Sequence, residues 1–213
     1  NLWSAGLVTH FGSMITYVTL PFQIKEITHS FLAVGLMGVV ELVPLIVFGL
    51  YGGVLADAVD RKKMVWATEF AALIMTLLLL GNSMLPNPNL VLIYIVAGTF
   101  AALNGLQRPS MDAILPRIVS HDDLPSASAL MSLRGQFGVI VAPAVAGIVI
   151  SNYGATYGYL IDVITFVIAL IFLFKVRNIP PSANAAPPSF ASLVEGLRYA
   201  VNRKDLLGTY LID

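Results

Sequence analysis

Residues 52–63 read Gly52-Gly53-Val54-Leu55-Ala56-Asp57-Ala58-Val59-Asp60-Arg61-Lys62-Lys63. This polar and basic stretch separates two long apolar runs, at about 32–56 and 64–84. Four more apolar runs of similar length lie at about 4–24, 90–113, 126–152 and 155–175. Because a helix needs about 20 mostly apolar residues to cross a bilayer, the sequence predicts six transmembrane helices.

The composition agrees with a membrane protein. Of 213 residues, 57% are hydrophobic and 11% are charged, whereas a soluble domain carries roughly 25% charged residues. The zero net charge gives no basic footprint for nucleic acid. We find no phosphate-binding loop, no nucleophile elbow and, around His29 and His121, no metal-ligand spacing. We therefore expect an all-α membrane protein, a six-helix bundle that is not an enzyme and has no metal or cofactor.

The basic residues predict the orientation of the bundle, because cytoplasmic loops retain positive charge. The polar segments between the apolar runs alternate between the two sides of the membrane. If the second, fourth and sixth of them face the cytoplasm, Lys25 is the only Lys or Arg residue on the outer side. The nine inside are Arg61, Lys62, Lys63, Arg117, Lys175, Arg177, Arg198, Arg203 and Lys204. The amino terminus is then cytoplasmic, and the absence of cysteine is compatible with a bacterial inner membrane. The breaks are short, so consecutive helices are expected to be antiparallel neighbours.

The chain changes character after the sixth run. We assign 1–176 to the bundle and 177–205 to a cytoplasmic linker, since four prolines fall within 178–189. The linker also contains an amphipathic pattern, with apolar residues at Phe190, Leu193, Val194, Leu197 and Val201. Residues 206–213 resemble the start of a seventh transmembrane helix that is cut short.

The opening stretch resembles the loop signature of the major facilitator superfamily, Gly-x-Leu-Ala-Asp-x-x-Gly-Arg-Lys, with Asp60 at the second glycine. Gly49 and Gly53 are four residues apart, which predicts a smooth helix face for close approach of another backbone. The resemblance implies that Gly53, Asp57, Arg61 and Lys62 form a latch that holds two halves of a transporter together. The alternative is a solvated basic loop that only sets the topology.

Charged side chains near the end of the fourth run extend this hypothesis. Asn104, Arg108 and Asp112 recur at four-residue spacing, with Pro109 beside them. We expect Arg108 and Asp112 to join the latch. Pairing between these two residues, with their ends reaching the interface, is equally consistent with the spacing.

The fifth run contains Gly138, Ala142, Pro143, Ala146 and Gly147. This pattern is similar to a degenerate exporter signature of the same superfamily, Gly-x-x-x-Gly-Pro-x-x-Gly-Gly, and implies proton-coupled export. Simple packing of small residues is the alternative. Residues 108–128 resemble the siderophore and macrolide exporters in particular.

Ionisable groups inside the apolar runs are candidates for a proton or substrate site, because charges in a membrane helix are costly. Glu41 and Asp162 lie well within the second and sixth runs, and Arg134 within the fifth. His10 and Tyr17 are seven residues apart on the first run and share a helix face. Each of these side chains can instead be a hydrogen-bonded packing residue. Glu69, near the start of the third run, is expected to extend to the membrane interface.

These observations predict the amino-terminal half of a twelve-helix secondary transporter that exports a siderophore or drug-like molecule by proton-coupled alternating access. Its partners would be the lipid bilayer, the small-molecule substrate, protons and the missing carboxy-terminal half. Two alternatives stay open, namely a lysophospholipid or macrolide carrier of the same fold and a membrane scaffold that transports nothing.

Overall fold

The computed structural model describes residues 2–120 and 122–175, apart from the side chains of residues 2, 54, 56–58 and 112–118. The described chain forms six helices: α1 (Leu2–Thr28), α2 (Phe31–Ala58), α3 (Arg61–Ser83), α4 (Leu90–Ile118), α5 (Leu124–Tyr153) and α6 (Ala155–Phe174). The predicted six-helix fold is confirmed. The predicted linker at 177–205 and the seventh helix at 206–213 lie outside the described residues.

Five of the six helices, α2 to α6, are long and apolar enough to cross a membrane. Helix α1 has 27 residues, which suffices in length, but it is too polar to belong to this group. Along it lie Thr9, His10, Ser13, Thr16, Thr19 and Gln23. Thr16, Thr19 and Gln23 are buried, so the polar residues of α1 contact other helices.

Local hydrogen bonds define both ends of the bundle. At the end that carries residues 84–89, the side chain of Asn82 accepts from the Asn89 amide (2.8 Å) and donates to its carbonyl (3.2 Å). At the end that carries residues 59–60, Asp60 caps α3 by accepting from the Lys63 amide (3.2 Å). Asp60 has φ −63°, so this turn does not require the glycine of the superfamily signature. Gly154, between α5 and α6, has φ 84°, which favours glycine.

The helices do not pack in sequence order. The most extensive contacts join α2 to α4, α1 to α6, α1 to α5, α3 to α4 and α3 to α6. In the described part of the chain, α2 and α3 barely touch, so the expectation that consecutive helices are neighbours is wrong for this pair, whereas it holds for α3 and α4. Exchanging α1 with α4, α2 with α5 and α3 with α6 maps these five contacts onto one another. The bundle is thus two related three-helix units, as in transporters built from internal repeats.

Glycine permits the closest approach of α2 and α4. A Cβ at Gly52 would lie 2.6 Å from the Gly105 carbonyl oxygen, and a Cβ at Gly105 would lie 2.7 Å from the Gly49 amide nitrogen. At Gly49 and Gly53, by contrast, a Cβ would meet no described atom within 4 Å. The face of α2 that approaches α4 therefore contains Gly52 and the backbone of Gly49, and a role for Gly53 in close packing stays a prediction.

We expect Gly105→Val to lower the stability of the folded protein by about 1–3 kcal/mol, because α2 and α4 must move apart. Gly81→Ala is the matched control, since a Cβ there meets no described atom within 4 Å and alanine favours a helix by about 1 kcal/mol. Thermal unfolding in detergent measures both. Equal stability of Gly105→Val and the parent would show that the two helices do not meet at this glycine.

Candidate functional site

A cavity of about 660 Å³ opens between the helices, and all six contribute to its lining. The lining includes each of the five side chains that the sequence singled out, namely His10, Tyr17, Glu41, Arg134 and Asp162. They come from four different helices, with two of them on α1. The fold therefore gathers groups that are up to 152 residues apart in sequence around one space.

Asp162 is the most deeply buried of these groups, with 0% of its surface exposed. It lies where α6 packs against α1 and α3. The Thr16 hydroxyl on α1 donates to its Oδ2 atom, and the Thr165 hydroxyl lies 3.3 Å from Oδ1. A Cβ at Gly12 would lie 2.6 Å from Oδ1, so the absence of a side chain at Gly12 lets α1 approach this carboxyl group.

Glu69 is a cavity residue that the sequence reasoning misplaced. It is only 5% exposed, and it accepts hydrogen bonds from Gln107 Nε2 on α4 (2.7 Å) and Thr9 Oγ1 on α1 (3.2 Å). Glu69 lies eight residues after the first residue of α3, about 12 Å along the helix axis. The expectation that it extends to the interface is therefore wrong. Asp60, a favourable N-cap residue just before Arg61, was the signal that α3 starts early enough to bury Glu69.

His10 and Arg134 lie together where α1 meets α5. A Cβ at Gly6 would meet the Arg134 guanidinium, and a Cβ at Gly138 would lie 2.8 Å from His10 Nε2. The two glycines make room for these large polar side chains. Nε2 of His10 is buried and has no hydrogen-bond partner among the described residues.

The remaining predicted groups form a more open wall. Tyr17 on α1 is 59% exposed, and Glu41 on α2 is half-buried. Arg108 on α4, which we expected to join the latch, also lines the cavity and is exposed. The ring of Phe100 also lines this wall, and the buried ring of Phe166 lies behind it. The cavity thus presents cations, carboxyl groups and rings to one shared volume.

The predicted latch is described only in part. Arg61, the first residue of α3, is buried with 4% exposure, and Lys62 is partly exposed. The side chains of Asp57 and Asp112 lie outside the described residues. The role of a latch therefore stays a prediction.

The small residues of α5 pack against α1. Gly138, Ala142 and Ala146 are buried along one stripe of the helix, and the two alanines share a core cluster with Ile15 and Ile150. A Cβ at Gly147 would meet no described atom within 4 Å, so Gly147 is not part of this contact. Pro143 lies inside α5, which continues through it.

Comparison with curated proteins gives relatives over most of the chain. An enterobactin exporter, EntS, of Shigella boydii serotype 18 is 30% identical over 185 residues, which cover 85% of this chain and 44% of that protein. EntS of Escherichia coli O1:K1 is 29% identical over the same lengths. The chain thus spans less than half the length of the curated relatives it matches.

Two solved structures share the fold. A peptide transporter in complex with sulfate has a TM-score of 0.64 at 13% identity. The match covers 99% of this chain and 45% of the transporter chain. The same transporter in complex with alafosfalin has a TM-score of 0.62 at 12% identity, with 99% and 46% covered. The model of the transmembrane secretion effector family matches residues 1–208. The chain belongs to this family of major facilitator superfamily transporters.

Proposed function

We propose that the complete gene product exports a small organic molecule by proton-coupled alternating access, and that this chain forms one wall of the transport pathway. The observation that carries the proposal is the cavity, which is lined by all five side chains predicted to form a proton or substrate site. In membrane proteins such groups face water-filled cavities and mark substrate or proton pathways. The kinship with exporters supports the direction of transport.

The cavity chemistry supports a polar aromatic substrate with negative charge. Arg108 and Arg134 offer guanidinium groups, which bind carboxylates and other oxyanions through paired hydrogen bonds. Tyr17 and Phe100 offer rings for stacking. A siderophore with catechol groups fits this combination and agrees with the substrate named for the relatives. A macrolide or lysophospholipid carrier is the alternative within transport.

A scaffold that transports nothing would bury Glu41 and Asp162 among neighbouring helices. Asp162 is buried and hydrogen-bonded in this way, but Glu41 is half-buried and lines the cavity, which favours transport. We further propose that the protein spans a bacterial inner membrane with the 59–60 end in the cytoplasm. In this orientation the buried Arg61 and its neighbours Asp57 and Lys62 act as a latch between the two halves, joined by Asp112.

Side-specific labelling tests the orientation. The chain contains no cysteine, so a thiol reagent can react within it only at the cysteine that is introduced. We expect a membrane-impermeant maleimide to label Asn87→Cys in intact cells and Lys63→Cys only after permeabilisation. Labelling of both positions from the same side would contradict the bundle topology, and the reverse pattern would contradict the orientation.

Reconstitution tests the coupling. The complete gene product is reconstituted in proteoliposomes with an acidic lumen. Transporter molecules inserted inside out should then exchange lumenal protons for a tris-catecholate siderophore, which accumulates in the lumen. A protonophore should abolish this accumulation. A macrolide and a lysophospholipid, assayed in parallel, distinguish the alternative substrates. If no compound accumulates, or if the protonophore has no effect, the proposed mechanism is wrong.

We expect Arg108→Gln to raise the KM for an anionic substrate about 10- to 100-fold, because a hydrogen bond to a charged group contributes about 1.5–3 kcal/mol. Lys25→Gln is the control, since Lys25 lies at the end of α1, donates to the His29 carbonyl (2.8 Å) and does not line the cavity. Initial transport rates at varied substrate concentration give both KM values. Equal values in the two variants would remove Arg108 from the substrate site.

A further inference from the structure

The hydrogen atoms around Asp162 can be counted from its contacts. A threonine hydroxyl carries one hydrogen atom and two lone pairs. The hydroxyl of Thr16 donates its hydrogen atom to Asp162 Oδ2. The hydroxyl of Thr165 donates to the Asp162 backbone carbonyl (2.8 Å), and that of Thr76 donates to the Ala72 carbonyl (3.0 Å). The Thr165 hydroxyl is also within 3.3 Å of Oδ1, but its shorter bond goes to the carbonyl, so Thr165 and Thr76 offer mainly lone pairs to the carboxyl group that they face.

This arrangement suits a protonated carboxyl group. An ionised carboxylate only accepts hydrogen bonds, whereas a protonated one also donates through its O–H group. If Asp162 were ionised, its Oδ1 atom would face hydroxyl lone pairs in a fully buried position. With a proton on Oδ1, the same oxygen donates to a threonine hydroxyl, and Oδ2 still accepts from Thr16. The buried site is then fully hydrogen-bonded.

Glu69 has the opposite surroundings. Its two oxygens accept from an amide N–H group of Gln107 (2.7 Å) and from the Thr9 hydroxyl (3.2 Å). Both partners donate, and hydrogen bonds to the charged form favour that form. The geometry around Glu69 therefore suits an ionised group.

The two carboxyl groups belong to one structural unit. Thr9 and Thr16 are seven residues apart on α1, as are Glu69 and Thr76 on α3, which is two turns or about 10 Å. Both carboxyl groups line the same cavity. A nearby negative charge disfavours ionisation of a carboxyl group, so an ionised Glu69 favours a proton on Asp162.

We propose that Asp162 and Glu69 form the proton-binding pair of this transporter, with the proton on Asp162 Oδ1 and Glu69 ionised in the conformation described. Binding forms one O–H bond on the carboxyl group, and release breaks it and passes the proton to water in the cavity. His10 of α1, Glu41 of α2, Arg108 of α4 and Arg134 of α5 line the same cavity and set the field around the pair. This inference rests on the proposed proton coupling.

Infrared difference spectroscopy of the complete gene product in lipid tests the assignment. At neutral pH we expect the C=O stretching band of a protonated, buried carboxyl group. Asp162→Asn should abolish the band, and Glu69→Gln should retain it. Glu26→Gln, which changes an exposed carboxyl group outside the cavity, is the control and should leave the spectrum unchanged. A band that survives Asp162→Asn, or that disappears in Glu69→Gln, overturns the proposal.

A milder pair of variants decides the question if Asp162→Asn does not fold. Thr16→Val removes the donor to Oδ2, so the C=O band should move to higher frequency, whereas Thr16→Ser keeps the hydroxyl and the frequency. An unchanged frequency in Thr16→Val overturns the assignment to Asp162.

The transport assay separates this proposal from the function on which it rests. Gradient-driven accumulation should be lost in Asp162→Asn. If accumulation is driven by protons and is undiminished in a folded Asp162→Asn variant, the proton-binding pair is wrong and the proposed function stands. If the band maps to Asp162 but transport by the parent ignores the gradient, the proposed coupling is wrong and only the protonation state of the pair stands.

Discussion

Polar side chains on α1 must find their hydrogen-bond partners within the protein, because the hydrocarbon of a bilayer offers none. Thr9 reaches Glu69 on α3, Thr16 reaches Asp162 on α6, and Gln23 accepts from Tyr159 on α6 (2.7 Å). These bonds join α1, α3 and α6 along a polar seam. The apolar helix α2 lies outside this seam and packs on α4 through Gly52.

The sequence predicts the elements of this fold better than their packing. Six helices follow from the length of the apolar runs, since each run must cross about 30 Å of hydrocarbon. Hydropathy does not encode which helices touch. The neighbours of α2 depend on the glycines at 52 and 105, which meet across two distant segments. A regular spacing such as that of Gly49 and Gly53 marks a smooth face but not whether another helix uses it.

The candidate site was predicted to a similar extent. His10, Tyr17, Glu41, Arg134 and Asp162 all line the cavity, because the cost of a charged or polar group in lipid leaves the protein interior as the favourable place for it. Glu69 was misplaced, since a shift of three residues in the start of α3 separates an interfacial carboxylate from a buried one. Its partners Thr9 and Gln107 are on other helices, and no local pattern connects them to it.

The polar character of α1 affects how this bundle can enter a membrane. During synthesis α1 precedes α3 and α6, the helices that supply the partners of Thr9 and Thr16. Transfer of α1 alone into lipid would separate these groups from their partners, and a moderately polar segment gains little from such transfer. The later helices therefore stabilise α1 in the membrane, so a defect in α6 would also weaken the first helix of the chain.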